Sequence, residues 1–204
     1  MKSDFTNNIT HELKTPIAVA YAANDALLNF NQAEEKSKRD QYLRISQEQL
    51  QRLSGLVEQI LSMGMERRKT FRLHPEEINL KELITPLMEQ HQLKADKPVH
   101  IELDIQPETL VIVADRTHFS NIISNLIENA IKYSGKEVRI DLSCIQKGHT
   151  LTIQITDNGI GIPPAEQSKV FDKFYRGSHI PDRNIPGIGL GLSYVKLLTE
   201  AHHG

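Results

Sequence analysis

The stretch Phe5-Thr6-Asn7-Asn8-Ile9-Thr10-His11-Glu12-Leu13-Lys14-Thr15-Pro16-Ile17 decides how the rest of the chain is read. Phe5, Ile9, Leu13, Pro16, Ala20 and Leu27 recur at helical steps, so they line one face of a helix. At about 100° per residue His11 falls nearly opposite that stripe, with Thr15 one turn above it on the same side. An imidazole turned away from the core and flanked by the Glu12 carboxylate is free to act as a nucleophile or proton carrier. The plain alternative is a surface histidine on an amphipathic helix. Pro16 lies inside the helical pattern, where it removes the bond to the Glu12 carbonyl at a cost of about 3 kcal/mol and bends the helix beside His11.

Working outward, the 204 residues suffice for one large or two small domains with a real core. With 39% hydrophobic and 25% charged residues and a net charge of −2, there is no basic excess to suggest nucleic acid and no acidic tail. Cys144 stands alone, which excludes an internal disulfide and fits a reducing compartment. No apolar run approaches the roughly 20 residues that span a bilayer, and Met1-Lys2-Ser3-Asp4 does not open a signal peptide. The expectation is a soluble, cytoplasmic fragment with no membrane contact of its own and with an upstream part absent.

The opening helix is predicted over about 3–30, followed by a polar turn at 31–37 and a second long helix over about 34–68. In that second helix Leu43, Leu50, Val57 and Gly64 recur by sevens, with Ser46, Leu53 and Ile60 three residues later. This is a heptad seam, and a hairpin with such narrow apolar faces is completed by a second copy into a four-helix bundle. Arg67-Arg68-Lys69 ends the helix as a solvated basic cluster, and the polar strand-like stretch from Phe71 to Leu80 leads into a second domain. That domain reads as a helix over about 80–96, strands at 99–105 and 110–114, and a helix from Arg116 to Tyr133 capped by Asp115. Strands at 138–145 and 151–156 follow, joined by a Lys147-Gly148-His149 turn, and a last helix covers about 190–202. The fold class is α+β: a helical hairpin followed by an α/β sandwich with helices on one face.

Four clusters in the second half carry candidate chemistry. Asn125 and Asn129 stand one turn apart inside a helix, where asparagine is a poor interior residue. Their amide oxygens suit Mg²⁺, and Lys132 beyond them suits a phosphate; a solvent-facing polar stripe is the alternative. Asp157-Asn158-Gly159-Ile160-Gly161 follows a strand and is either a tight turn or a carboxylate acceptor for an exocyclic amine such as adenine N6, with glycines admitting the base. Gly187, Gly189 and Gly191 open the last helix and offer backbone N–H groups to phosphate. No strand precedes them, which removes a dinucleotide-binding βαβ turn from consideration. The long loop between these clusters reads as a lid, with Lys173 and Arg176 as phosphate contacts.

The order of His-Glu-Leu-Lys-Thr-Pro, Asn-x-x-x-Asn-Ala-x-Lys-Tyr, Asp-x-Gly-x-Gly, Phe-x-x-Phe-Tyr-Arg and Gly-x-Gly-x-Gly-Leu resembles the sensor histidine kinases over essentially the whole chain. The resemblance implies a dimerisation and phospho-acceptor domain over 1–69 and a catalytic ATP-binding domain of the gyrase-like ATPase fold over 70–204. It implies ATP and Mg²⁺ as cofactors, a homodimer, a response-regulator receiver domain as partner, and a parent protein anchored in the inner membrane. Carried onto this sequence, it makes His11 the phosphorylated residue, Glu12 its general base and Thr15 the residue that positions water when phosphate is removed from the partner. The resemblance also makes Asn129, helped by Asn125, the Mg²⁺ ligand. By the same resemblance Lys132 and Tyr133 would line the nucleotide, and Asp157 would hold adenine above Gly159 and Gly161. Ile188 stands where that family commonly has Thr or Ser. The family's catalytic domain usually continues into a final pair of strands, whereas this sequence ends at Gly204. The rival expectations are a degenerate scaffold that binds a receiver without catalysis, and a plain ATPase that does not need His11.

Overall fold

A computed structural model describes residues 2–30, 34–66, 72–178, 180, 185, 187 and 189–204. The turn residues 31–33, the basic cluster Arg67-Arg68-Lys69, Phe71, Ile188 and the burial of Phe5 and Gly64 lie outside what is described. The chain separates into two compact units, Met1–Phe71 with Pro186–Leu190, and Arg72–Ile185 with Gly191–Gly204.

The first unit is a helical hairpin of α1 (Lys2–Asn29) and α2 (Lys36–Glu66). α1 runs unbroken through Pro16, and Pro16, Ala20 and Ala23 are buried on the side that packs against α2. The heptad seam of α2 is divided between two faces. Ser46 is buried, and Leu53 and Ile60 are half-buried, whereas Leu43, Leu50 and Val57 remain 50%, 55% and 41% exposed. Seven-residue steps are two turns, so these three leucine and valine side chains form one continuous apolar stripe that α1 does not cover. Ser46 would be a costly buried hydroxyl if left alone, and Asn24 Nδ2 donates to its Oγ at 3.1 Å.

The second unit alternates short strands and helices. β1 (Glu76–Asn79) runs antiparallel to β3 (Val111–Ala114), with Ile78 opposite Ile112. Asn79 then caps α3 (Leu80–Lys94) by accepting the Lys81 and Glu82 N–H groups at 3.0 and 3.2 Å. A second sheet has the order β2-β4-β5, with β2 (Val99–Gln106) parallel to β4 (Val138–Lys147) and β4 antiparallel to β5 (Thr150–Asp157). The hairpin between β4 and β5 turns at Gly148, whose φ of 61° is the left-handed value such a turn takes. α4 (Arg116–Lys132) and α3 cover one face of this sheet, and α6 (Gly191–Ala201) packs on α4. A short helix, α5 (Pro164–Gln167), was not signalled by any periodicity in the sequence. Leu80, Ile84, Ile123, Ile127, Ile140 and Leu142 are almost wholly buried in one core, each worth about 1.5–3 kcal/mol of apolar transfer. Cys144 lies in the same core, and burial pushes its thiol up to about 11, so it is unreactive packing. Among the described residues no helix is long and apolar enough to cross a membrane.

Asp115 caps α4 as the sequence indicates, and it does more. Its Oδ1 accepts the His118 N–H at 3.0 Å and its Oδ2 accepts the His74 N–H at 2.9 Å. Burial raises the Asp115 pKa, but the two amide bonds and the neighbouring His118 and His202 outweigh it and hold the carboxyl below its ordinary value. A depressed carboxylate contributes stability that is fully present above the unfolded pKa of about 3.9 and is lost as pH falls through the folded pKa. Asp115→Ala is therefore expected to destabilise this unit by about 2–3 kcal/mol near neutral pH. Denaturant unfolding should show that deficit shrinking as pH is taken below about 4.

Candidate functional site

On the hairpin, His11 is exposed, as its place opposite the apolar stripe requires. Thr15 lies one turn on, and its hydroxyl donates to the His11 carbonyl oxygen at 3.1 Å. Glu12 is i+1 to His11 and so is rotated about 100° around the helix. Its side chain is only 14% exposed, and Oε2 stands 3.6 Å from the Arg52 guanidinium of α2. Oε1 accepts the N–H of Gly187, which belongs to the same compact unit, at 2.9 Å. In this arrangement the Glu12 carboxylate is engaged by those two donors.

In the second unit, α4 presents its asparagines to the start of α6. Asn125 Nδ2 donates to the Asn121 carbonyl oxygen at 2.8 Å, which commits the nitrogen end of the amide to its own helix. The oxygen end is left toward Gly191, where a Cβ would stand 3.2 Å from Asn125 Oδ1 and 3.8 Å from Asn129 Nδ2. Glycine at 191 thus spares α6 a tight contact where it begins beside both amides. The Asn125 amide oxygen facing a glycine-bordered helix start suits a hard cation that keeps waters and phosphate oxygens as its other ligands, whereas Asn129 turns its Nδ2 to Gly191 in this arrangement. Among the described residues no group of three His, Cys, Asp or Glu side chains is placed to hold a metal.

At the C-terminal end of α4, Lys132 Nζ lies 5.2 Å from the centroid of the Tyr133 ring. Burial raises the Tyr133 pKa, opposed by the positive charge of Arg176 nearby. The Tyr133 carbonyl oxygen accepts the Ile160 N–H at 3.0 Å, bringing the Asp157–Gly161 segment onto the end of α4. Asp157 Oδ1 accepts the Gly159 N–H at 2.8 Å. Gly159 fits only as glycine, because a Cβ would come within 2.6 Å of Asp157 Oδ1 and 3.0 Å of the Tyr133 carbonyl oxygen. Gly161 takes φ 70°. The Asp157 Oδ1 to Gly159 bond makes the segment a tight Asx turn after β5. Asn158 also pairs with the start of β4, donating to Glu137 O and accepting from Arg139 N.

The loop residues behave less uniformly. Arg176 donates one of its five guanidinium N–H groups to the Ile185 carbonyl oxygen at 2.7 Å. Lys173 is exposed, and Phe174 holds the left-handed φ of 67°, a strain of roughly 1–2 kcal/mol for a residue with a Cβ. Gly187 and Gly189 take φ 146° and 74°, and both are grouped with the hairpin unit, apart from Gly191.

Residues 1–68 match the His Kinase A (phospho-acceptor) domain, and residues 114–204 match the histidine kinase-, DNA gyrase B- and HSP90-like ATPase. The whole chain aligns with the sensor protein RprX of Bacteroides fragilis at 35% identity, covering 40% of that protein. It also aligns throughout with the sensor protein kinase WalK of Staphylococcus aureus at 31% identity, covering 49% of it. The chain belongs to the sensor histidine kinases. It spans less than half the length of these curated relatives. A solved complex of the histidine kinase ThkA with the response regulator TrrA shares the fold, with a TM-score of 0.58 and 24% identity over 98% of this chain and 55% of that one.

Within this sensor histidine kinase, several site residues escaped the sequence reading. Asn121 extends the Asn125, Asn129 spacing back by four, a signal that was present in the sequence; its Nδ2 lies 3.4 Å from the Tyr194 hydroxyl of α6. Ser178 is held by the Glu166 carboxylate through both its N–H and its hydroxyl, which anchors the loop to α5. No spacing rule could have joined those two residues across 12 positions of irregular chain.

Proposed function

We propose that this chain is the catalytic core of a two-component kinase, moving the γ-phosphoryl group of Mg-ATP to a ring nitrogen of His11. The bond from the γ-phosphorus to the bridging oxygen of ADP breaks as the N–P bond forms, and the imidazole proton passes to a base, the role assigned to Glu12. That role needs the carboxylate released from Arg52 and Gly187. The observation that carries the reading is the approach of glycine-started α6 to the amides of Asn125 and Asn129, in a chain whose hairpin exposes His11. The matched ATPase family implies ATP binding. Mg²⁺ would be held by Asn129 with Asn125 and by phosphate oxygens, and would supply charge neutralisation. Lys132, Tyr133 and the glycines line the nucleotide.

The uncovered Leu43, Leu50, Val57 stripe supports a homodimer through a four-helix bundle. The ThkA–TrrA complex supports a response-regulator receiver domain as the partner, whose aspartate takes the phosphoryl group from His11. In that encounter Thr15, one turn from His11, would position water for the reverse removal of phosphate. The reading places these two domains in the cytoplasm, where ATP and receivers are found, beneath a membrane-anchored parent.

Incubation of the chain with γ-labelled ATP tests the reading. The expected product is a label stable in alkali and lost in acid, as a phosphoramidate requires. Absence of label, or an acid-stable phosphoester, would overturn it. Adenine recognition is tested separately by Asp157→Asn. The amide oxygen can keep the Gly159 N–H bond, so the loop is retained, while the other position becomes a donor facing the adenine amine. Calorimetry should show ATP binding weakened by about 1–3 kcal/mol, with inorganic triphosphate unaffected.

A further inference from the structure

The place of Gly191 depends on where α6 lies along α4, and that placement has a fastening at the far end of the helix. His202 Nε2 accepts the backbone N–H of Asp115 at 3.1 Å, and His202 Nδ1 lies 2.7 Å from the Leu198 carbonyl oxygen. A carbonyl oxygen only accepts and an amide N–H only donates. The contacts therefore select one form of the ring, with its proton on Nδ1 and a bare Nε2. The Asp115 carboxylate is used elsewhere, by the His74 and His118 amides, and Phe119 meets the imidazole edge-on with ring centroids 6.4 Å apart.

This bond is not needed to end the helix. The His202, His203 and Gly204 N–H groups already return to the carbonyls of Leu198, Thr199 and Glu200, with His203 in the left-handed region at φ 64°. What the imidazole adds is a tie from the end of α6 to the cap of α4. α6 has 11 residues, so the tie acts through a rigid rod about 16 Å long. At the other end of the rod the margin is small, since a Cβ on Gly191 would already stand 3.2 Å from Asn125 Oδ1.

We propose that His202 is a positioning residue for nucleotide binding: by accepting the Asp115 N–H it sets where Gly191 stands against Asn125 and Asn129. This rests on the reading of that junction as the phosphate end of an ATP site. His202 touches no reacting atom, and its effect is carried wholly by α6.

The test compares the full chain with His202→Gln and His202→Phe. Glutamine keeps an oxygen within reach of the Asp115 N–H; phenylalanine fills the space beside Phe119 and offers no acceptor. Nitrogen NMR of the imidazoles should show His202 in the Nδ1-protonated form at neutral pH, and the Nε2-protonated form would overturn the fastening. Calorimetry with Mg-ATP should show about a tenfold loss of affinity for His202→Phe and recovery to within about threefold for His202→Gln. Thermal unfolding should place His202→Phe below His202→Gln, because it leaves the Asp115 N–H without an acceptor. Affinities are therefore compared at a temperature where both variants are fully folded, which separates positioning from general stability. If His202→Phe binds Mg-ATP as tightly as the unaltered chain, the positioning role is wrong while the nucleotide site stands. If the unaltered chain binds no Mg-ATP, the nucleotide reading falls and the role of His202 falls with it.

Discussion

His11→Ala is expected to abolish phosphate uptake from γ-labelled ATP, a fall of at least about a thousandfold. Mg-ATP affinity should stay within about twofold of the unaltered chain. The two expectations come from the separation of the parts. His11 is exposed on α1, whereas the contacts recorded for Asn125, Asn129 and Asp157 all lie within the second unit. The exposed imidazole contributes little to packing, so its removal should change stability by no more than about 0.5 kcal/mol. The Thr15 hydroxyl bonds to the backbone oxygen of residue 11, not to the ring, and that bond survives the substitution. An inactive His11→Ala chain that melts normally and binds Mg-ATP normally has lost the acceptor and nothing else. Label persisting on that chain would put the acceptor on another residue.

Much of this arrangement was readable in the sequence because the determinants are local. The face opposite Phe5, Ile9 and Leu13 had to carry His11 into solvent, since helical periodicity alone fixes it. Asp115 announced the start of α4 because a short acceptor side chain before an apolar-periodic run has few other uses. The alternation of Val99 to Ile105 and of Val138 to Ile145 gave two half-buried strands, and Gly148 marked the turn between β4 and β5. The heptad seam of α2 was legible as a pattern but not as an allocation. Spacing shows that Leu43 and Ser46 share a seam, and only the packing of α1 shows that Ser46 faces inward while Leu43 remains uncovered.

The less legible parts depend on bonds between distant residues. Arg176 carries a charge that suits phosphate, and nothing local signalled that one of its N–H groups would meet the Ile185 carbonyl oxygen nine positions on. Asn158 read as part of a turn, which it is, and nothing local signalled that its amide also extends the pairing of β4. Asp115 read as a cap, and nothing in its neighbourhood signalled His74 or His202, which lie 41 and 87 positions away. Glycine, too, is ambiguous in sequence. Gly161 and Gly189 take left-handed φ values, whereas at Gly159 a Cβ would collide with Asp157 Oδ1 and at Gly191 it would crowd Asn125 Oδ1.

Gly191→Val is the sharpest test of that spatial requirement. Gly191 is not among the glycines with positive φ, so its backbone would accept any residue. Helix propensity taken alone predicts that valine improves the first turn of α6 by a few tenths of a kcal/mol over glycine. Sterics predict the reverse. A Cβ at this position meets Asn125 Oδ1 at 3.2 Å, inside the roughly 3.5–4.0 Å of a comfortable carbon contact. Asn125 cannot yield freely, because its Nδ2 is bonded to the Asn121 carbonyl oxygen. The two further methyl groups of valine would push α6 off the amides or displace Asn125 from its bond, and either outcome separates the helix start from the Asn125 amide oxygen. Mg-ATP affinity is expected to fall by about 30- to 100-fold, and thermal unfolding of the second unit to move down, not up. Gly191→Ala, with one methyl, should lie between. If calorimetry finds Gly191→Val binding Mg-ATP like the unaltered chain, the start of α6 is not where the phosphates lie. If affinity falls while the melting temperature rises, propensity has governed the fold and the methyl groups have acted on the ligand alone.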